Sequence, residues 1–269
     1  NHSFDRINLG GRRNINKKTG RNDKLKALIQ FGYTPKQELE YRFPYLNKRQ
    51  SLGVTTLFLH SINKELNYGT FNNREQLVRL GEQKIQERWE GQIRTFYRPT
   101  INIKYELALR YQNLEIDQEV VTDYNPLYFS NGDSTHSVFS LRLVYEYDDR
   151  DRKIFPATGI KFSAEAEKIG LTNSADENTL ITALSVEWNA TTGRRFQHRV
   201  STTAKYSLSR SRPSFVYYKG LGSGVKYVSG YELYVIDGLD YVLGKYQLAY
   251  KLLEKQSNLG SFMPVDQFR

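Results

Sequence analysis

The chain has 269 residues, enough for one large β-barrel or two ordinary domains, with a formal charge of +10, no cysteine and 13% aromatic residues. Without a thiol, a disulfide framework and a thiolate metal site are excluded, and without an apolar run approaching about 20 residues an α-helical membrane span is excluded as well. The positive charge suits phosphate-bearing partners, nucleic acid or lipid headgroups, and suits a basic solvated surface equally well.

The 20 Tyr and 14 Phe occur in a chain whose mean hydropathy is −0.63. A β-barrel reconciles the two, because strands that alternate lipid-facing and lumen-facing residues average out as polar. The first residues, NHSFDRINLGG, carry neither the charged nor the apolar region of a signal peptide. A weak strand pattern over 4–15 precedes a clear one in KLKALIQFGY, where Leu25, Ala27, Ile29, Phe31 and Tyr33 share one face. In ELEYRFPY, Leu39, Tyr41, Phe43 and Tyr45 repeat the pattern, and the link TPKQ is short enough to force an antiparallel hairpin.

Weaker runs follow at 51–62 and 84–98. Between them NREQLVRLGEQKIQERW is the best helical candidate, although Gly81 interrupts it and it also reads as a loop entering a strand. Alternation returns in INIKYELALRY, SLRLVYEYD and KFSAEAE, then over 179–191, 196–209 and 239–253, with a further start near 264. The expected fold is all-β, an antiparallel transmembrane β-barrel with about twelve strands present.

Link lengths sharpen this. NKRQ, RPT and TTGR fall on one rim, while the long links near 63–83, 115–137, 168–178 and 210–238 fall on the other. Short turns at one rim and long loops at the other is the layout of an outer-membrane barrel, with TPKQ the exception on the long-loop side. Tyr33, Tyr45, Tyr97, Tyr147 and Tyr241 near strand ends fit interfacial girdles. A soluble β-sandwich also enriches Tyr and Phe, and runs of about ten residues, a membrane-crossing length, decide for the membrane.

No chemistry assembles. His2, His60, His136 and His198 lack a second ligand at metal spacing, so no metal and no cofactor is expected. YDDRD lacks the glycine and distal glutamate of a calcium loop, and GLGSG is not followed by the Gly-Lys-Ser/Thr of a phosphate cradle. Positive residues fall on nearly every strand rather than one face, which argues against nucleic acid. No nucleophile, base and orienting acid come together, so no catalytic residue is assigned.

Two stretches resemble the outer-membrane insertase superfamily, the bacterial surface-antigen barrels that include BamA, TamA and the two-partner secretion transporters. YDDRDRKIFPATG is similar to that family's strand-turn-strand signature, matched by Asp148, Arg150, Asp151, Phe155, Pro156 and Gly159. VSGY, residues Val228, Ser229, Gly230 and Tyr231, resembles the Val-Arg-Gly-Tyr/Phe motif at the tip of the sixth extracellular loop.

The resemblance implies that residues 1–269 are one partial barrel domain, the second to thirteenth of sixteen strands, with the closing strands and the POTRA domains outside it. It implies a place in the outer membrane of a Gram-negative type bacterium. The implied partners are outer-membrane lipids, lipopolysaccharide and nascent outer-membrane proteins, with assembly-machinery subunits as further candidates. The implied activity is non-enzymatic insertion and assembly of other outer-membrane proteins, by client strand addition at a weakly closed seam.

One position departs from the motif. The family's loop arginine pairs with an aspartate on the thirteenth strand, and Ser229 cannot supply that charge-assisted bond. Docking of the loop is then expected to rest on backbone packing, Tyr231 and Lys226. A barrel that secretes a partner or anchors a separate domain, a passive porin, and a soluble β-domain are the alternatives.

Overall fold

The computed structural model describes residues 6–16, 22–172, 177–210, 213–222 and 226–252. Eleven strands form one antiparallel sheet in which nearly every neighbour in space is a neighbour in sequence. They are β1 (Asn8–Asn16), β2 (Lys24–Gly32), β3 (Lys36–Phe43), β4 (Leu52–Asn63), β7 (Gln86–Tyr97), β8 (Ile103–Ile116), β9 (Thr135–Asp148), β10 (Gly159–Ile169), β11 (Thr179–Thr192), β12 (Phe196–Ser207) and β15 (Tyr241–Tyr250). Two hairpins lie in the links: β5 (Leu66–Phe71) with β6 (Arg74–Val78), and β13 (Lys219–Leu221) with β14 (Ile236–Asp237). The sheet is not closed, since β1 and β15 are its two edges. The strand start near 264 lies outside the described residues.

The burial pattern is inverted relative to a water-soluble sheet. On β8, Leu107 and Leu109 are each 43% exposed, while Glu106 before them and Gln112 after them are buried. Period-two alternation puts the apolar set on the convex side and the polar set inside. Outward aliphatic and aromatic side chains on strand after strand make a lipid-facing surface. Inside, the carboxylates find cations across the wall: Arg142 grips both oxygens of Glu165, at 2.6 and 2.7 Å, and Arg110 reaches Glu167 at 2.6 Å. Charges facing a lumen need such partners because the lumen hydrates them only in part.

The helical candidate at 73–89 is β6, a turn at Gly81 and the start of β7, because β6 pairs with β5 through Leu66↔Val78. A single π turn, Val120–Tyr124, breaks the link between β8 and β9. The core is not central but sits at the long-loop rim. Ile85, Leu114, Ile116, Val120, Tyr128, Phe129 and Phe215 are buried together there, joined by Leu66 and Val78 at the base of the β5–β6 hairpin.

The short link after β2 is covered by its neighbours. Tyr33 is buried, its hydroxyl donates to Glu65 at 3.1 Å, and Arg6 and Arg79 lie 5.6 and 5.4 Å from its ring. Tyr33 is therefore covered by Glu65, Arg6 and Arg79 rather than set outward in an interfacial girdle. Tyr97 faces outward at the end of β7 and stacks on Tyr105 of the next strand.

Candidate functional site

Antiparallel order puts the links 44–51, 98–102, 149–158 and 193–195 on one rim and 33–35, 64–85, 117–134, 170–178 and 208–240 on the other. The two sequence signatures therefore sit at opposite ends of the barrel.

At the short-turn rim the link 149–158 is braced by its own side chains. Arg150 grips Asp148 with two bonds, at 2.8 and 2.9 Å, and reaches across to Glu187 of β11 at 2.9 Å. Its guanidinium is held above its ordinary value, first by Asp148 and also by Glu187, against the opposing effect of burial. Asp151 Oδ1 accepts the amides of Ala157, at 2.9 Å, and Thr158, at 3.3 Å. Burial alone would raise the Asp151 carboxyl, yet those two amides and Arg152 hold it below the usual carboxylate range.

Gly159 has φ +105°, and a Cβ there would lie 2.6 Å from Arg150 Cα, so only glycine fits. Pro156 is buried, and the Ala157 carbonyl accepts Thr191 Oγ1 at 2.9 Å. Phe155 differs from the rest. It is 70% exposed with φ +50°, a conformation a bulky residue rarely keeps.

At the long-loop rim the link 208–240 has two unlike arms. Its base is closed by the Arg210–Asp240 ion pair and by Asp240 accepting the Ser207 amide at 2.8 Å. Both contacts lower the Asp240 carboxyl, the arginine foremost. The first arm packs inward. Phe215 enters the buried cluster against Tyr128, and its amide donates to the Tyr128 carbonyl at 2.9 Å. The Ser214 amide donates to Glu177 at 2.8 Å. The Tyr217 hydroxyl sits 3.2 Å from His136 Nε2, and burial pushes that phenol up. Lys205 on the wall donates to the carbonyl of Lys219 at 2.8 Å and to that of Tyr217 at 3.4 Å. A polar cavity of about 580 Å³ remains between Arg88, Arg110 and Glu167 on the wall and Tyr217 and Lys219 on the arm.

The second half is a narrow hairpin. Lys219 pairs with Asp237 and Leu221 with Ile236. Gly220 and Gly222 pass so close to the opposite arm that a Cβ would lie 2.4 Å from the Ile236 oxygen and 2.0 Å from the Tyr234 oxygen. The glycines of GLGSG thus serve close backbone approach at two described positions. At the tip, the Tyr231 amide donates to the Val228 carbonyl at 2.9 Å and Gly230 has φ +84°, which closes a tight turn.

Ser229, Gly230 and Tyr231 are exposed. Tyr231 meets Tyr234 rather than the wall, with ring centroids 5.7 Å apart. Lys226 does reach the wall, 5.3 Å from the ring of Tyr241, and Val235 donates to the Asn73 carbonyl at 2.8 Å. The docking contacts that the motif could not reveal lie upstream of it, at Ser214, Phe215, Tyr217 and their partner Lys205. An aromatic run directly after a proline, PSFVYY, was the signal available for them.

Among the described residues no group of three His, Asp or Glu side chains is placed to hold a metal ion.

No curated protein matches the chain by sequence. Among solved structures the chain is similar to BamA from Haemophilus ducreyi lacking POTRA domains 1–3, with TM-score 0.58 and 13% identity over 81% of this chain and 43% of that one. It is also similar to in-vitro folded OmpT, an outer-membrane protein of Vibrio cholerae, with TM-score 0.52 and 13% identity over 91% of this chain and 64% of that one. The chain thus spans less than half the length of the BamA chain, and at such identities the likeness is one of fold. The Omp85 superfamily domain matches residues 18–244. With an inverted eleven-strand sheet, short turns at one rim and long loops at the other, the chain belongs to the Omp85 superfamily and is part of a β-barrel of the Gram-negative outer membrane.

Proposed function

We infer that this segment forms the wall and lumenal loop of an insertase-type barrel that assists folding and assembly of other outer-membrane proteins without enzymatic chemistry. The observation that carries the reading is the first arm of the 208–240 link, held inside the wall by Phe215, Tyr217 and Lys205. The wall charges behind the arm are paired as Arg110–Glu167 and Arg142–Glu165, so the wall it rests on is itself braced. A fixed lumenal arm supports a wall whose sheet can yield elsewhere to an incoming strand.

In this reading Asp148, Arg150, Asp151, Pro156 and Gly159 hold the short-turn rim, while Val228, Ser229, Gly230 and Tyr231 form the exposed turn of the loop. The partners are outer-membrane lipids, nascent barrel proteins and assembly subunits.

The full-length protein carrying this segment, reconstituted in phospholipid vesicles, tests the reading. It should accelerate folding of an unfolded eight-stranded client barrel, read as heat-modifiable gel mobility, at least tenfold over empty vesicles. Steady ion conductance without acceleration would favour the porin. Export of a co-expressed partner without acceleration would favour the secretion barrel.

A further inference from the structure

The formal charge of +10 is not spread evenly along the barrel axis. The four fully described links of the short-turn rim, 44–51, 98–102, 149–158 and 193–195, carry eight lysines and arginines against two carboxylates, Asp149 and Asp151. Among the described residues the five links of the opposite rim carry seven cations against eleven carboxylates. One rim therefore has a surplus of six positive charges and the other a surplus of four negative ones. In sequence order the cations look scattered. Only the strand order gathers them at one end.

The outer face just inside the basic rim is aromatic. Tyr97, Tyr105, Tyr145 and Phe162 touch in series across β7 to β10, with centroids 6.3, 5.3 and 6.0 Å apart, and Phe196 meets Tyr250 at 5.0 Å. Such rings settle at headgroup depth. The cations begin where the rings end. Arg98 follows Tyr97 in the chain and is exposed, and Arg195 precedes Phe196 and donates to the Tyr250 hydroxyl at 2.9 Å.

Lys48, Arg49, Lys153 and Arg194 are exposed and form no ion pair among the described residues. A cavity of about 430 Å³ at this rim is lined by Arg152, Arg194 and Lys251 with Phe155 and Tyr250, and by no carboxylate.

We propose that the short-turn rim is a docking collar for anionic phospholipid headgroups, its cations meeting lipid phosphates while the aromatic belt fixes the depth. The collar rests on the membrane-barrel reading and not on the insertase reading. Cations occur in all four turns, directly beyond outward-facing rings, which fits a lipid leaflet that surrounds the barrel better than an acidic protein that would need one patch. Each cation close to an anionic surface adds up to roughly fivefold in binding, an effect that salt screens.

The segment's two tryptophans report the two rims separately. Trp188 lies on the outer face near the end of β11 at the short-turn rim, and Trp89 lies on the outer face near the start of β7 at the other. The full-length protein is placed in vesicles containing brominated phosphatidylglycerol or brominated phosphatidylcholine, and quenching is read as the component removed by Trp188→Phe or by Trp89→Phe.

The expected result is a several-fold preference for the anionic lipid at Trp188 and a ratio near one at Trp89. The Trp188 preference should fall towards one in about 1 M salt and in the Lys48→Gln, Arg49→Gln, Lys153→Gln, Arg194→Gln variant. Equal ratios at both tryptophans, or a preference that survives neutralisation, overturn the collar. So does capture of an acidic periplasmic protein by the rim in place of lipid selectivity. If the fourfold variant loses its heat-modifiable mobility, Arg194→Gln alone must still lower the ratio at Trp188. Client folding without lipid selectivity defeats the collar alone, and selectivity without client folding defeats the proposed function alone.

Discussion

The turn 149–158 and the tip of the 208–240 loop are the two stretches that sequence resemblance singles out, and they are held in opposite ways. In the turn, the carboxylates of Asp148 and Asp151 and the guanidinium of Arg150 bond within a few residues or to the adjacent strand β11. At the tip, Ser229 and Tyr231 face outward, and the loop's position is set by Phe215, Tyr217 and Lys205, some twelve or more residues away in sequence. A signature that satisfies its own polar groups fixes local structure. One that does not must borrow its position from elsewhere in the fold.

The largest expected effect falls on the borrowed anchor. Phe215→Ala empties a site in the buried cluster and should cost about 4 kcal/mol, read as a lower urea midpoint together with faster proteolysis across 213–238. An unchanged proteolysis rate would place the loop's anchor at the tip after all. Arg150→Ala strands Asp148 and Glu187 at the lumen wall and should cost about 3 kcal/mol, while proteolysis of the 208–240 loop stays at the parent rate. Coupled loss at both rims would erase the contrast between them.

A smaller effect tests how the turn depends on ionisation. The Asp151 carboxyl is depressed in the fold, so its contribution is fully present above the unfolded value near 3.8 and is lost as pH falls through the lower folded value. Asp151→Asn should cost about 1 kcal/mol at neutral pH. It should also flatten the stability profile below about pH 4, measured as thermal loss of heat-modifiable mobility. A parallel acid profile in the variant would assign that window to other carboxylates. The smallest expected effect is at the tip, where Ser229→Ala should move the unfolding midpoint by less than about 0.5 kcal/mol and leave protease protection unchanged. A measurable loss there would give the serine a partner that its exposure argues against.

Much of this was legible before any coordinates. Period-two alternation in INIKYELALRY and SLRLVYEYD marked strands, and the alternation of short and long links assigned the rims, because hairpin connectivity leaves strand order little freedom. The turn was legible through its resemblance to a strand-turn-strand signature, and in the fold Asp148, Arg150 and Asp151 bond locally within it. The β5–β6 hairpin was not, because its charged residues mimic a helical period and only Leu66 opposite Val78 resolves the choice.

The sequence by itself determined an all-β membrane barrel and the braced turn, because both depend on contacts between near neighbours or on a repeat of two. Only the tertiary structure decided which residues anchor the lumenal loop and where the excess charge lies. Phe215 meets Tyr128, Lys205 meets Lys219, and the turn cations gather at one rim through strand pairing, which brings together residues that are far apart along the chain.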